Sequence, residues 1–285
     1  MDALFQIVTM IIPKAGVQIG GIPLTLNLLL LALVLIRNPN QTIISIQRRK
    51  AIGVCYAVLL FFALITFLLG VLEGFSGFVL AQIVTVIASP LAGVIGMRMR
   101  PEQSFRILAL ALIVVGLYAA AQFAMGVEHI SIEGLTYTAG QELTDKPIGW
   151  GTSGDTDTAL KMPSTFQNGN YLGIFDALGV SLILMWKPVA SLWKTLKYFA
   201  VGCGILGIML CGSRSTVIPF VLVAFFLLAQ EYRATSSRMK GTYLAGASLA
   251  IIGGITYMLI FQQNIVQQFI TRNLTQTFAA PTAPG

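Results

Sequence analysis

The stretch FRILALALIVVGLYAAAQFA, residues 105–124, decides the class of this protein. Its length lies within the roughly 17 to 25 apolar residues that a helix needs to cross a hydrocarbon core about 30 Å thick. Several further runs resemble it. Of the 285 residues, 56% are hydrophobic and 10% are charged, whereas a soluble domain carries about 25% charged residues. The sequence therefore predicts an integral membrane protein.

The apolar runs predict an all-α fold, a polytopic transmembrane helical bundle of about eight or nine helices in a single integral membrane domain, residues 1–285. The predicted helices cover residues 22–36, 52–72, 77–96, 105–124, 170–186, 196–211, 215–230 and 242–261. The first is short and needs a thinned bilayer or interfacial residues. Residues 4–20 form another apolar stretch, which Pro13 and Lys14 interrupt. This stretch spans the membrane, re-enters it or lies on its surface, and the side of the N-terminus stays open.

The lysines and arginines fall mostly in alternate connections between these helices, which sets an orientation. Thirteen of the eighteen form one set, namely Arg37, Arg48, Arg49, Lys50, Arg98, Arg100, Arg106, Lys187, Lys194, Lys197, Arg233, Arg238 and Lys240. Because cytoplasmic loops carry an excess of Lys and Arg, this set is predicted to be cytoplasmic. The net charge of +7 is then a topology signal, and no nucleic-acid partner is expected.

One connection on the predicted outer side stands out, residues 125–168. It holds six acidic residues and the only histidine of the chain, His129. Its composition predicts an extracytoplasmic loop with little regular structure. Two interpretations stay open, a solvated connector or a lid that binds an acceptor, because uninterrupted loops of this length are uncommon and often functional. Residues 262–285 are predicted to be an extracytoplasmic tail or the start of a further loop.

The sequence gives no sign of a metal or cofactor site. Cys55, Cys203 and Cys211 lie in apolar segments without the spacing of metal ligands, which predicts packing residues. No glycine-rich nucleotide-binding motif, HExxH or GxSxG occurs in a supporting context. We therefore expect neither a cofactor nor a soluble-type hydrolase site.

Residues 210–220, LCGSRSTVIPF, interrupt a long apolar stretch. One continuous helix here would be too long for the bilayer and would move the basic residues that follow it to the wrong side. The sequence therefore predicts a tight helical hairpin with Arg214 in its extracytoplasmic turn. This arginine is either an interfacial anchor or an anion contact, because a guanidinium can hold phosphate oxygens bidentately.

A polar segment, KMPSTFQNGNYLGIF at residues 161–175, leads into the predicted helix 170–186. Ser164 or Thr165 is the candidate cap of that helix. The amides that the segment offers to a glycan or a phosphate are those of Gln167, Asn168 and Asn170. A plain capped helix start explains the same residues equally well.

Asp176 lies about two turns into this predicted helix, where a carboxylate is costly unless it is paired or wet. It is a candidate substrate-binding residue. We expect it to pair with a basic residue, line the cavity or stay neutral.

The segments STFQNGNYLGIF, residues 164–175, and LCGSRSTVIPFVLVAFFLL, residues 210–228, together resemble the O-antigen ligase and Wzy polymerase superfamily of bacterial envelope polysaccharide assembly. In that family a Thr-Phe segment containing Asn leads into a helix. A Ser-Arg dipeptide then opens another helix, at about the spacing that separates Asn170 from Arg214 here. The resemblance covers roughly residues 160–232.

The resemblance implies a metal-independent glycosyltransferase at the outer face of the bacterial inner (cytoplasmic) membrane. Members transfer a glycan from an undecaprenyl-pyrophosphate carrier either to another glycan, as polymerases, or to a lipid acceptor, as ligases, in O-antigen or exopolysaccharide assembly. Both activities stay open for this chain. The implied partners are the lipid-linked glycan, membrane lipid and other polysaccharide-assembly proteins. Arg214 is the residue carried over as the pyrophosphate contact.

The sequence departs from the family in its C-terminal part. Members usually continue into a large loop that contains a histidine thought to activate the acceptor hydroxyl, and no histidine follows Arg214 here. The chain is then truncated, a fragment, or a short relative that lacks catalysis on its own. His129 is the remaining candidate base, although its surroundings, GVEHISIEG, do not match the family motif.

Two other function classes stay open. A polysaccharide transporter or flippase would also be polytopic and use an intramembrane acid, but no internal repeat pairs two broken helices. A non-catalytic membrane subunit would explain the missing downstream histidine. Transport would depend on a gradient, whereas a polymerase or ligase would lengthen or move a glycan.

Overall fold

The structure is a computed structural model that describes residues 1–20, 22–47, 50–73, 77–140 and 162–213, together with Thr216 and Phe220. The predicted helices 215–230 and 242–261 lie outside these residues apart from Thr216 and Phe220, as do Arg214 and the tail 262–285. The chain divides into two units. The first comprises Met1–Gly149 and Met162–Ser213, and the second comprises Trp150–Lys161 and Arg214–Gly285.

The helices and strands that the structure delimits all belong to the first unit. The helices are α1 (Asp2–Ile11), α2 (Leu26–Arg37), α3 (Pro39–Gln47), α4 (Lys50–Glu73), α5 (Gly77–Gly96), α6 (Pro101–Met125), α7 (Val127–Ile130), α8 (Gly169–Met185) and α9 (Ser191–Leu210). The strands are β1 (Gly16–Ile19) and β2 (Ile22–Thr25). The unit is therefore mostly helical.

Three of the described helices are long and apolar enough to cross a membrane, namely α4 over Gly53–Gly70, α6 and α9. Helices α2 and α3 meet at 89° and pass the same test together, which gives a fourth candidate if the bent pair is one span. Helices α1 and α8 and the Val86–Gly96 part of α5 are apolar but shorter. These lengths and compositions are consistent with a membrane protein.

The predicted helices agree well with the structure where the two can be compared. The predictions at 52–72, 77–96, 105–124, 170–186 and 196–211 correspond to α4, α5, α6, α8 and α9. The prediction at 22–36 is wrong in its first four residues, because Ile22–Thr25 form β2 and pair with β1. Pairing with a neighbouring strand overrides the local apolar pattern there.

Helix α4 presents large apolar side chains to its surroundings. Val54, Phe61 and Phe62 are each about 60% or more exposed, and none of the apolar window Gly53–Gly70 is buried inside the protein. A soluble protein rarely exposes a contiguous apolar surface of this kind. A helix that is apolar on all sides is expected in a protein core or a lipid bilayer.

The most closely packed part of the unit is the group of α6, α8 and α9. Glycines allow the helix backbones to approach each other, as small residues commonly do between membrane helices. A Cβ built at Gly116 of α6 would overlap the carbonyl oxygen of Cys203 in α9, and one at Gly179 of α8 would lie 2.9 Å from Leu112 Cδ2. Cys203 and Cys211 are buried, as expected for packing residues, whereas Cys55 is exposed.

The N-terminal stretch 4–20 consists of α1, a turn at Pro13 and Lys14, and β1. Strand β1 pairs with β2 on one side, with Gly16 opposite Thr25. On its other side the Gln18 N–H donates to the Ala139 carbonyl at 2.8 Å, and the Ala139 N–H donates to the Gly16 carbonyl at 2.9 Å. The hairpin is therefore attached to the segment that follows α6.

Residues 126–140 accordingly have more regular structure than we predicted for the 125–168 loop, of which 141–161 lie outside the described residues.

The two ends of α6 differ in charge. We call the end near Pro101 the basic end, and it collects Arg37, Arg98, Arg100, Arg106, Lys187, Lys194 and Lys197. The return of α8 to this end is fixed by Trp186, whose indole N–H donates to Glu102 Oε2 at 2.8 Å. We call the end near Met125 the loop end, and it carries residues 126–140 and 162–168. Since α6 has 25 residues, these ends are about 37 Å apart at 1.5 Å per residue.

Arg98 places the N-terminus at the basic end. Its guanidinium lies 3.2 Å from Asp2 Oδ2 and donates to Thr42 Oγ1 at 3.2 Å and to Gln41 Oε1 at 2.9 Å. Met1 and Asp2 share an open cavity of about 510 Å³ with Arg37, Arg98 and Arg100. The sequence did not determine on which side the N-terminus lies. In the structure the N-terminus lies at the same end as these arginines.

We expect Arg98→Ala to destabilise the protein, because it removes the ion pair and both hydrogen bonds that hold α1 and α3 to the start of α6. The expected loss is about 1–3 kcal/mol, measured as a lower Tm in detergent by circular dichroism. Arg100→Ala is the matched control, because Arg100 is an exposed arginine two residues away. A loss of equal size in both variants would contradict the role assigned to Arg98.

Candidate functional site

The polar segment before α8 is fixed to the loop end by backbone hydrogen bonds. The Met162 N–H donates to the Leu210 carbonyl at the end of α9 at 3.0 Å, and the Phe166 N–H donates to the Pro163 carbonyl at 3.0 Å. Met162 and Phe166 are buried in a cluster that also holds Val127 of α7 and Leu172 of α8. The same cluster includes Val115 of α6, so four helices meet around this segment.

Gln122 of α6 holds the polar segment before α8 in place through two hydrogen bonds. Its Oε1 accepts from the Ser164 N–H at 2.7 Å, and its Nε2 donates to the Ser164 carbonyl at 3.3 Å. The Ser164 hydroxyl donates to the Val115 carbonyl at 2.8 Å. Ser164 has φ 50, a left-handed conformation that costs a residue with a side chain about 1 kcal/mol or more. This buried amide and the hydroxyl bond satisfy the backbone and side chain of Ser164 and stabilise that conformation.

Sequence reasoning missed Gln122, although a signal existed. It is the one amide side chain within the apolar run 105–124, and its side chain is completely buried. Buried amides in apolar helices are nearly always hydrogen-bonded. A single glutamine near the end of a predicted membrane helix therefore indicates a partner segment that the sequence does not identify.

The cap of α8 is Asn168, and the prediction of Ser164 or Thr165 is wrong. Asn168 Oδ1 accepts from the Asn170 N–H at 2.8 Å, and the Asn168 carbonyl accepts from the Leu172 N–H at 3.2 Å. The helix begins at Gly169, so Ser164 and Thr165 lie too far upstream to reach its first turn. Both are buried in the segment instead.

The three predicted amides have different surroundings. Asn168 and Asn170 are exposed at the loop end. Gln167 is half-buried, with φ 60, and its side chain or backbone is engaged in an interaction within the protein. Two of the three therefore expose their side chains, and Asn168 does so while its Oδ1 caps the helix.

Asp176 is buried between α8 and α9. Neither carboxyl oxygen has a hydrogen-bond partner, and no described Lys or Arg forms an ion pair with it. It faces Gly207 of α9, where a Cβ would overlap Asp176 Oδ2. Asp176 is thus buried in the contact between α8 and α9, whereas Asn168 and Asn170 are exposed.

His129 lies at the same end as the polar segment. It is exposed on α7, which is held by the Tyr118 hydroxyl donating to the Ile130 carbonyl at 2.6 Å and by burial of Val127 beside Met162. The structure thus brings His129, Asn168 and Asn170 to the loop end of the unit. Arg214, the residue carried over from the family resemblance, lies outside the described residues.

The described residues contain no group of three or more His, Cys, Asp or Glu side chains that could hold a metal ion. The chemistry available at the loop end is that of amides, hydroxyls and a few charged groups. Such groups bind and orient polar ligands such as glycans or phosphates.

Comparison with protein-family models, with curated proteins and with solved structures found no match. The fold alone defines the class, a mostly helical protein in which three or four of the helices that the structure describes suit a membrane.

We expect Gly207→Ala to lower the Tm, because its Cβ overlaps Asp176 Oδ2. In an Asp176→Ala background the overlapping atoms are gone, so the same change should cost less, with a coupling energy of about 0.5–3 kcal/mol between the two sites. Gly202→Ala is the matched control on the same helix, because nothing lies within 4 Å of its Cβ position. Equal losses from Gly207→Ala in both backgrounds would contradict this contact.

Proposed function

We propose that this protein is a multi-pass protein of the bacterial inner (cytoplasmic) membrane and acts as a glycosyltransferase-type polymerase or ligase on undecaprenyl-pyrophosphate-linked glycans. The proposal rests on the family resemblance of residues 164–175 and 210–228 together with the arrangement of the loop end. The product would be O-antigen or exopolysaccharide.

The single observation that supports it best is the separation of charge and polar amides along α6. The basic end gathers seven lysines and arginines, which favours a cytoplasmic location for that end. The polar segment and its exposed Asn168 and Asn170 lie at the other end. Under this orientation they face the compartment in which lipid-linked glycans are joined.

The transfer itself requires little beyond orientation and charge stabilisation. The bond between the anomeric carbon and the pyrophosphate oxygen breaks, and the acceptor hydroxyl oxygen bonds to that carbon and passes its proton to water. The pyrophosphate leaves on its lipid with added negative charge. A cation placed at that oxygen stabilises the transition state, and Arg214 has this role in the proposal. Exposed amides such as those of Asn168 and Asn170 are suited to orienting the sugar hydroxyls.

We expect a cysteine at position 170 to react with a membrane-impermeant maleimide in intact spheroplasts, and one at position 187 to react only after lysis. Asn170 and Lys187 are both exposed and lie at the loop end and the basic end, respectively. Cys55 is exposed and must first be replaced by Ala, whereas Cys203 and Cys211 are buried. The reverse labelling pattern would rule out the proposed orientation.

We expect Arg214→Ala to abolish glycan transfer in vesicles supplied with an undecaprenyl-pyrophosphate-linked glycan, and Arg214→Lys to lose most of it, because an ammonium cannot form two parallel bonds to phosphate. A fully active lysine variant would favour an interfacial anchor. The measurement is the length of the glycan or its appearance on an acceptor lipid. Movement of unlinked glycan in response to an ion gradient would instead indicate a transporter.

His129→Ala serves as the comparison in the same assay. A lost general base lowers turnover by about 100-fold or more, and we expect a much smaller effect because the surroundings of His129 do not match the family motif. A loss of that size, with expression unchanged, would make His129 the base.

A further inference from the structure

Lys14 is the exception to the charge separation described above. It lies in the turn between α1 and β1, and its carbonyl accepts a hydrogen bond from Thr138 Oγ1 at 3.1 Å. Of the lysine and arginine side chains that the structure describes, it is the one at the loop end. Topology rules that favour basic residues on the cytoplasmic side do not explain it.

Lys14 is partly shielded from water, and no carboxylate among the described residues supplies a counter-charge to it. The side chain is half-buried, and burial lowers the pKa of its ammonium group. No described carboxylate lies within ion-pair distance of it. Glu133, an acid on the neighbouring segment, accepts instead from the Gly140 N–H at 3.1 Å. Partial desolvation of a cation is costly, and an anion that binds to it offsets that cost.

An exposed aromatic ring lies beside this cation. Lys14 Nζ is 6.0 Å from the centre of the Tyr171 ring, and Tyr171 is 57% exposed in the first turn of α8. The preceding residue is the exposed Asn170. A flat aromatic face packs against the apolar face of a sugar ring, while an exposed amide binds its hydroxyls.

Two features argue against a plain interfacial anchor. A snorkelling lysine extends its ammonium group into water, whereas Lys14 is half-buried and points to a tyrosine ring. The turn that carries it is also fixed by hydrogen bonds to two parts of the 126–140 segment, at Gly134 and Thr138. The fold thus holds this lysine in place next to α8.

We propose that Lys14 and Tyr171 form a binding site for a sugar phosphate, in which Lys14 Nζ donates to a phosphate oxygen and the Tyr171 ring packs on the adjacent sugar. The site deepens the proposed function and rests on it for the identity of the ligand, the pyrophosphate-linked end of a lipid-carried glycan. Asn170, the exposed residue that precedes Tyr171 in α8, donates to a sugar hydroxyl.

Binding to the full chain in detergent tests the site without requiring turnover. The probes are a short-chain polyprenyl pyrophosphate that carries one N-acetylhexosamine, the same lipid without the sugar, and phosphatidylglycerol. Lys14→Gln should weaken both pyrophosphate probes by about ten- to a hundredfold, as expected for a lost charge-assisted hydrogen bond. Tyr171→Leu should weaken only the sugar-bearing probe, by about two- to tenfold, whereas Tyr171→Phe keeps the ring and should bind nearly normally.

The chain offers a matched control for each change. Lys187 is an exposed lysine at the basic end, so Lys187→Gln removes the same charge far from the site. Tyr198 is 69% exposed and has Lys197 Nζ 5.9 Å from its ring centre, so Tyr198→Leu removes a similar lysine-flanked ring from α9. Both controls should leave the affinity for every probe unchanged. Tm values of all variants identify any that fail to fold. Lys14→Arg keeps the positive charge on a long side chain, so it separates loss of the charge from loss of the side chain.

Several outcomes would overturn the site. Unchanged affinity in Lys14→Gln would remove the phosphate contact, and equal binding of the lipids with and without sugar would remove the role of Tyr171. Phosphatidylglycerol competing as strongly as the sugar-bearing probe would assign Lys14 to the bilayer surface. Glycan transfer that persists in Lys14→Gln with unchanged binding would leave the proposed function standing while the site fails. Binding that depends on Lys14 without any glycan transfer would support the site while the proposed function fails.

Discussion

The pair of hydrogen bonds between the Gln122 carboxamide and the backbone of Ser164 is the constraint on which the loop end depends. A non-helical segment close to apolar helices must have its backbone groups satisfied by the protein, because lipid offers no partners. Gln122 provides both a donor and an acceptor at the end of α6, and the Ser164 hydroxyl adds a bond to Val115. With Ser164 held, Phe166 packs on Phe175 at 4.9 Å between ring centres. Asn168 then lies where it can begin α8.

The same arrangement determines how closely the helices below the segment pack. The Met162 N–H donates a hydrogen bond to the last turn of α9, which fixes the position of α8 along α9. Asp176 is buried opposite Gly207. A larger residue than glycine at 207 would push these helices apart. An intramembrane acid is by default a functional candidate, and Asp176 has no hydrogen-bond partner among the described residues. It therefore stays a candidate substrate-binding residue, buried in the α8–α9 contact.

The sequence predicted the parts of the fold that depend on local composition. Apolar runs of sufficient length located α4, α5, α6, α8 and α9, because burial of the backbone in lipid requires a helix wherever the side chains are apolar. It failed where distant segments meet. Ile22–Thr25 are apolar enough for a helix but form β2, and β1 bonds to Ala139, more than a hundred residues away. Asn168 as the cap and Gln122 as the anchor likewise depend on which residue begins α8 and which segment lies above α6. No local pattern specifies either.

The N-terminal hairpin places a positive charge, that of Lys14, at the loop end. Without β1 pairing to the 126–140 segment, the turn at Pro13 and Lys14 would have no fixed position, and Lys14 would be one more solvated cation. Because Thr138 and Gly134 hold this turn, a positive charge from the first fifteen residues is placed beside Tyr171, which the sequence separates from it by most of the described chain. The sequence assigned Asn168 and Asn170 to the candidate site from their own segment. Lys14 could be added only from the fold, since its relation to α8 depends on the pairing of strands and loops at this end, which no spacing in the sequence encodes.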